Sequence, residues 1–240
     1  MSKLNPIAQS LNEKLEEAGP EVLSMLSEYG RRLYFPKGII SQTAEAKQKA
    51  TRFNATIGIA TEDGGPMSLA SISNQLGDVS AADALTYAPP AGRPGLRDEW
   101  RKKLLLENPS LSDKNFSQPI VTSAITHGLS LAGELFLDPG DVILLPDKLW
   151  GNYRLTYEVH HGAKIETFPF YRAEGGMDTD AFASRLAELA MGREKLVVLL
   201  NFPNNPTGYM PTDAEGDALT AALVAQAENG TKPVLLCDDA

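Results

Sequence analysis

Apolar residues recur along this chain in two rhythms. Short continuous aliphatic runs, Val142-Ile143-Leu144-Leu145, Leu196-Val197-Val198-Leu199-Leu200 and Val234-Leu235-Leu236-Cys237, read as strands buried on both faces. Shorter runs at Pro119–Thr122 and Lys164–Phe168 read as further strands. Between them apolar residues return every three or four positions, the period of a helix with one buried side. Thr126–Leu137 carries Leu129, Leu131, Ala132 and Leu135, and Asp138-Pro139-Gly140-Asp141 ends it. Asn152–His160 is a second helix. Asp178 caps a third, whose apolar side is Phe182, Leu186, Leu189 and Ala190. Thr212 and Glu215 have capping-box spacing for a fourth over Asp213–Glu228, which Gly230 stops. Strands alternating with helices predict a three-layer α/β/α fold: a mostly parallel sheet, helices on both faces and right-handed crossovers.

The N-terminal part is less regular. Pro6 to about Arg32 is helical and broken near Gly19-Pro20; Tyr34–Gly38 is irregular, and a short polar helix runs from Glu45 to Lys49. Asn54–Ala60 is extended and ends in the turn Asp63-Gly64-Gly65-Pro66. A glycine- and proline-rich loop, Tyr87–Arg97, opens a helix from about Pro94 to Leu106 with Leu96, Trp100 and Leu104 as one stripe. Pro94 suits a first helical position.

Composition narrows the function classes. At 240 residues with 42% hydrophobic content the chain can bury a substantial core. Its 22 Lys+Arg against 31 Asp+Glu give a net charge of −9, which argues against nucleic acid and anionic membranes as partners. Cys237 is the one cysteine, so no intrachain disulfide can form, and a reducing, cytoplasmic location is expected. The N-terminus lacks the apolar segment of a signal peptide, and no apolar run approaches a membrane span. His127, His160 and His161 have neither zinc spacing nor a triad context, so no metal site is expected. No phosphate-binding loop of nucleotide hydrolases and no dinucleotide fingerprint is present.

The most informative stretch is Asn201-Phe202-Pro203-Asn204-Asn205-Pro206-Thr207-Gly208, on the loop leaving the carboxyl end of the Leu196–Leu200 strand. Open α/β sheets bind ligands there. As local structure alone, prolines and asparagines also make a rigid turn. The whole octet, however, resembles the Asn-x-x-x-Asn-Pro-Thr-Gly signature of fold-type I, class I/II aminotransferases that use pyridoxal 5'-phosphate (PLP). The resemblance makes Asn205 the partner of the cofactor's ring hydroxyl oxygen and implies a cis bond to Pro206.

Five further segments fall into place under that resemblance. Ser123–Leu129 sits at a helix start, where backbone N–H groups and the helix dipole favour an anion; Ala124, Ile125 and Thr126 would hold the phosphate, with Ile125 standing where the family commonly has glycine or alanine. Trp150 just past a strand end would stack on the pyridine ring, with Lys148 standing where proline is frequent; read singly, a tryptophan is also a core residue. Asp238-Asp239-Ala240 matches the first three positions of an Asp-x-x-Tyr pattern whose aspartate pairs with the ring nitrogen; Asp238 alone is equally read as a surface acid or metal ligand. Tyr87, in a Tyr-x-x-x-x-Gly-x-x-x-Leu-Arg pattern, would reach the cofactor phosphate of a second subunit, or else packs at the loop base. Gly58 is read either as a strand glycine or, by resemblance, as a backbone approaching the substrate carboxylate.

The resemblance implies PLP as cofactor, an amino acid and a 2-oxo acid as substrates, a homodimer, and amino-group transfer. Relatives with the same motifs act as C–S lyases or decarboxylases, and a non-catalytic PLP-binding regulatory domain is a further alternative. It assigns residues 1–62 to an N-terminal arm and part of a small domain, and 63–240 to the N-terminal part of the large PLP-binding domain. No lysine present matches the Schiff-base position, so that lysine is expected beyond Ala240, in a longer enzyme of which this is the N-terminal portion.

Overall fold

Alternation within the strands decides the architecture. The structure, a computed structural model, describes residues 4–26, 28–34, 39–54, 56, 60–63 and 65–240. The chain divides into two compact units, Met1–Leu11 with Tyr34–Val121, and Asn12–Leu33 with Thr122–Ala240.

The second unit holds helix α1 (Ile125–Phe136), strand β1 (Val142–Pro146), a π-helix (Arg154–His160), β2 (Lys164–Phe168), α2 (Thr179–Ala190), β3 (Lys195–Asn201), α3 (Asp213–Glu228) and β4 (Lys232–Asp238). The four strands form one sheet in the order β2-β1-β3-β4, with every neighbouring pair parallel. Successive residues of a strand point to opposite faces, and here they enter two separate cores. Val142, Leu144, Leu196, Val198 and Leu200 pack with Phe182, Leu186 and Leu219 of α2 and α3. Ile143, Leu145, Val197 and Leu199 pack with Leu129 of α1 and with Tyr153 and Tyr157 around the π-helix. Helices therefore cover both faces, and the expected three-layer α/β/α arrangement with a parallel sheet is found.

The predicted helix over Asn152–His160 is present with a wider pitch: Arg154–His160 is π-helical, and the His161 N–H reaches the Thr156 carbonyl at 3.2 Å, five residues back. The N-terminal helices Pro6–Ala18, Pro20–Met25 and Glu28–Arg32 break at Gly19-Pro20 as the sequence indicates.

The first unit contains the helix Ile39–Lys49, a two-residue hairpin of Thr61–Glu62 with Gly65–Pro66, and the helix Pro94–Glu107. The expected strand at Pro119–Thr122 is not one. A strand needs a ladder along its length. Here the Arg97 Nε–H donates to the Pro119 carbonyl at 2.5 Å, and the Val121 N–H donates to Ala91 at 3.0 Å. A Cβ at Gly92, whose φ is +92°, would lie 2.2 Å from Val121 Cγ2, so the close approach of these two segments requires glycine. Most of the predicted extended segment Asn54–Ala60, Gly58 included, lies outside the described residues. Among the described residues, no helix is long and apolar enough to cross a membrane.

Candidate functional site

Parallel register sets the site. In the β3–β4 ladder Asn201 is paired with Asp238, so the last residue of each strand ends at the same level. Beside them opens a cavity of about 450 Å³, lined among others by Ile125, Trp150, Tyr153, Asn201, Asn205 and Asp238. This is the carboxyl edge of the sheet, the ligand-binding edge of open α/β folds.

Asp238 is 3% exposed. Its Oδ2 accepts a hydrogen bond from the Tyr153 hydroxyl at 2.5 Å, and its Oδ1 accepts from the Ala240 N–H at 3.2 Å. Both donors are neutral, so the carboxylate is hydrogen-bonded without being neutralised. Burial first, and then the bond to Asp238, push the Tyr153 hydroxyl far above its ordinary pKa, which keeps it a donor. Trp150 meets the Tyr153 ring edge-on, with centroids 5.5 Å apart and planes at 90°. The indole is thereby braced against a buried ring.

The octet loop is tied down at both ends. The Asn205 N–H donates to Asn201 Oδ1 at 2.6 Å, and the Asn205–Pro206 bond is cis, as is Phe202–Pro203. At the far end the Tyr209 hydroxyl lies 2.8 and 2.9 Å from the two Glu215 oxygens and donates to that carboxylate. Glu215 also closes the capping box of α3 with Thr212 and accepts from the Met177 N–H at 2.8 Å. Burial works to raise the Glu215 pKa, but the Thr212 and Met177 N–H groups and the Tyr209 hydroxyl outweigh it and bring it down to about 2. A carboxyl group lowered on folding stabilises above its unfolded pKa, near 4.5, and that contribution is lost as pH falls through about 2. Glu215→Gln is therefore expected to destabilise the chain by about 1 kcal/mol at neutral pH, because glutamine accepts through one oxygen only and without charge. Urea unfolding of both proteins checks this: the gap between their midpoints narrows as pH is lowered below 4.5.

The turn before α1 is strained. Ala124 has φ 77° and ψ 169°, a region in practice reserved for glycine. The Ser123 N–H donates to His127 Nδ1 at 3.1 Å, while the first N–H groups of α1 have no partner within the helix. Ala124→Gly is expected to raise stability by about 1 kcal/mol, strain relief outweighing the added freedom of the unfolded chain. Thermal unfolding would read this as a higher midpoint.

Of the residues singled out from sequence, Ile125, Trp150, Asn205 and Asp238 line this same cavity. Ala124 and Thr126 flank Ile125 on the same turn and are not on the cavity wall. Tyr87 belongs to the first unit and is fully exposed. Gly58 lies outside the described residues. Sequence reasoning missed Tyr153, Asn201 and Asn204. A signal for Tyr153 was its place three residues past Trp150 at a helix start; for Asn201 it was its place at the end of a strand parallel to the one ending in Asp238.

Residues 63–240 match the family described as aminotransferase class I and II. The aspartate aminotransferase of Musicola paradisiaca is 36% identical over 132 residues, covering 54% of this chain and 31% of that protein. Among solved structures, an aminotransferase from Anaerococcus prevotii matches with a TM-score of 0.75 at 24% identity, over 89% of this chain and 53% of that one. An aspartate aminotransferase from the cytoplasm of Saccharomyces cerevisiae matches with a TM-score of 0.70 at 19% identity, over 92% of this chain and 52% of that one. The chain thus spans about half the length of these solved structures, which share its fold. By its match over residues 63–240, this chain belongs to the class I and II aminotransferase family.

Proposed function

We propose that this chain is the N-terminal portion of a PLP-dependent enzyme that moves an amino group between an amino acid and a 2-oxo acid. The observation that carries the reading is Asp238: a buried carboxylate with neutral hydrogen-bond partners, on the wall of a cavity that Trp150 and Asn205 also line. Such a charge is costly unless a cation joins it, and a pyridinium nitrogen is a cation of suitable shape. The names of its relatives, aminotransferases throughout those cited, favour group transfer over lyase or decarboxylase chemistry.

The residues present fit PLP. Asp238 would keep the ring nitrogen protonated, Trp150 would cover one ring face, and Asn205 would donate to the ring hydroxyl oxygen. The strained turn at Ala124, Ile125 and Thr126 would offer backbone N–H groups to the phosphate. When bound, PLP supplies a ring that accepts the electron pair left at the substrate's α-carbon. Tyr87, exposed on its loop, is assigned to the phosphate of a second copy in a homodimer, and Gly58 to the substrate carboxylate. Residues 1–62 are taken as arm and small-domain sequence, 63–240 as large domain, and the enzyme as cytoplasmic. A lysine that moves the substrate's α-proton is placed outside these residues.

The test is to add PLP to residues 1–240, reduce with borohydride and map any modified lysine. PLP is expected to be retained without a covalent bond, seen by its absorbance after gel filtration. A single stoichiometrically labelled lysine together with amino-group transfer would put the lysine inside this chain; no retention at all would remove the cofactor reading. A longer protein including the remaining sequence, assayed against a panel of amino acids, would identify the substrate.

A further inference from the structure

We infer that two buried asparagines, Asn201 and Asn204, are positioning residues that fasten different pairs of the loops around the cavity. This rests on the cofactor reading above and assigns the residues that hold its parts in place. Asn201 is 4% exposed and Asn204 2% exposed. The Asn201 carboxamide donates through Nδ2 to the Asp238 carbonyl at 2.8 Å and accepts through Oδ1 from the Asn205 N–H at 2.6 Å. It therefore locks the end of β4 to the start of the octet loop. The Asn204 carboxamide donates through Nδ2 to the Lys148 carbonyl at 3.1 Å, and its Oδ1 accepts from the Thr207 N–H at 3.3 Å and hydroxyl at 2.7 Å. It locks the segment leading into Trp150 to the far half of the octet loop.

A planar group carrying both donor and acceptor is what such a two-sided fastening requires, and a carboxamide is that group. The division of labour is specific. Asn201 spans Asp238 and Asn205 but does not reach the Trp150 segment; Asn204 spans the Trp150 segment and Thr207 but does not reach Asp238. A ring held on its edge, nitrogen and face by three loops needs those loops fixed to within about 0.5 Å.

Two measurements on the 240-residue chain test the inference. In the first, PLP affinity is measured by equilibrium dialysis for single and double variants. Asn201→Ala and Asn204→Ala should each weaken binding about tenfold, the worth of one or two hydrogen bonds. Asn201→Ala should add little once Asn205→Ala is present, yet combine with Trp150→Ala to within about twofold of additivity. Asn204→Ala should behave in the opposite way, overlapping with Trp150→Ala and adding to Asp238→Asn. In the second, amide exchange is followed without cofactor. Asn201→Ala should accelerate exchange at Asn205 and spare Thr207, and Asn204→Ala should do the reverse. Val198 in the sheet core reports whether each variant is folded, and the Ser variants replace any that is not. Additive cycles, or equal acceleration at both amides, would overturn the inference alone; a wild-type chain that retains no PLP would overturn the cofactor reading and this inference with it.

Discussion

Asp238→Asn is expected to weaken PLP binding about a thousandfold while leaving the fold intact. The estimate comes from one ion pair: charges ~4 Å apart at an effective dielectric of 20 interact by ~4 kcal/mol, and each ~1.4 kcal/mol is a factor of ten. Asparagine keeps the shape and can still accept from the Tyr153 hydroxyl, giving up only the bond from the Ala240 N–H along with the charge. An analogue of PLP with carbon in place of the ring nitrogen supplies the control. It should bind Asp238→Asn at least as well as wild type, because it brings no cation to the carboxylate. Equal loss for both ligands would mean that Asp238 acts through the fold and not through a ring nitrogen.

Phe182→Ala is expected to cost 3–5 kcal/mol of stability, the range for removing a buried phenyl ring. Phe182 is 0% exposed and meets the Phe168 ring edge-on, with centroids 5.2 Å apart. It anchors α2 against the face of the sheet lined by Leu144, Val198 and Leu200. None of the residues lining the cavity belongs to that core, so urea unfolding should show the loss while PLP affinity, measured below the unfolding transition, stays within about threefold of wild type.

How far sequence reached can be judged element by element. β2 and α3 begin and end where the apolar pattern and the capping residues put them, because Lys164–Phe168 and the Thr212–Glu215 box are purely local signals. The failure at Pro119–Thr122 has the opposite cause: an aliphatic run proposes a strand, but only a partner ladder makes one. For the site, Trp150, Asn205 and Asp238 could be named because motif and strand-end position coincide. Tyr153, Asn201 and Asn204 could not, because their roles depend on bonds to groups 85, 37 and 56 residues away in the chain. Such pairings exist only once strand register is fixed. The π pitch of Arg154–His160 was equally hidden, since apolar spacing does not distinguish five-residue from four-residue hydrogen bonding over so short a span.

The register of β4 has one more consequence, for how the chain could change length without losing its chemistry. Asp238 sits opposite Asn201, and the next residue is again an aspartate. If one residue such as Leu236 were deleted while the start of the strand stayed paired, Cys237, Asp238 and Asp239 would each move up one place. A small apolar cysteine would then occupy the half-buried place of Leu236, an aspartate the exposed place of Cys237, and Asp239 the buried place opposite Asn201. The cysteine would fill less of the packed place of Leu236, but no residue would turn to the wrong face. A slip of the whole strand would instead turn its apolar residues to the wrong faces. The acidic doublet thus holds a carboxylate in reserve, and the strand can lose a residue near its end and still present an acid to the cavity.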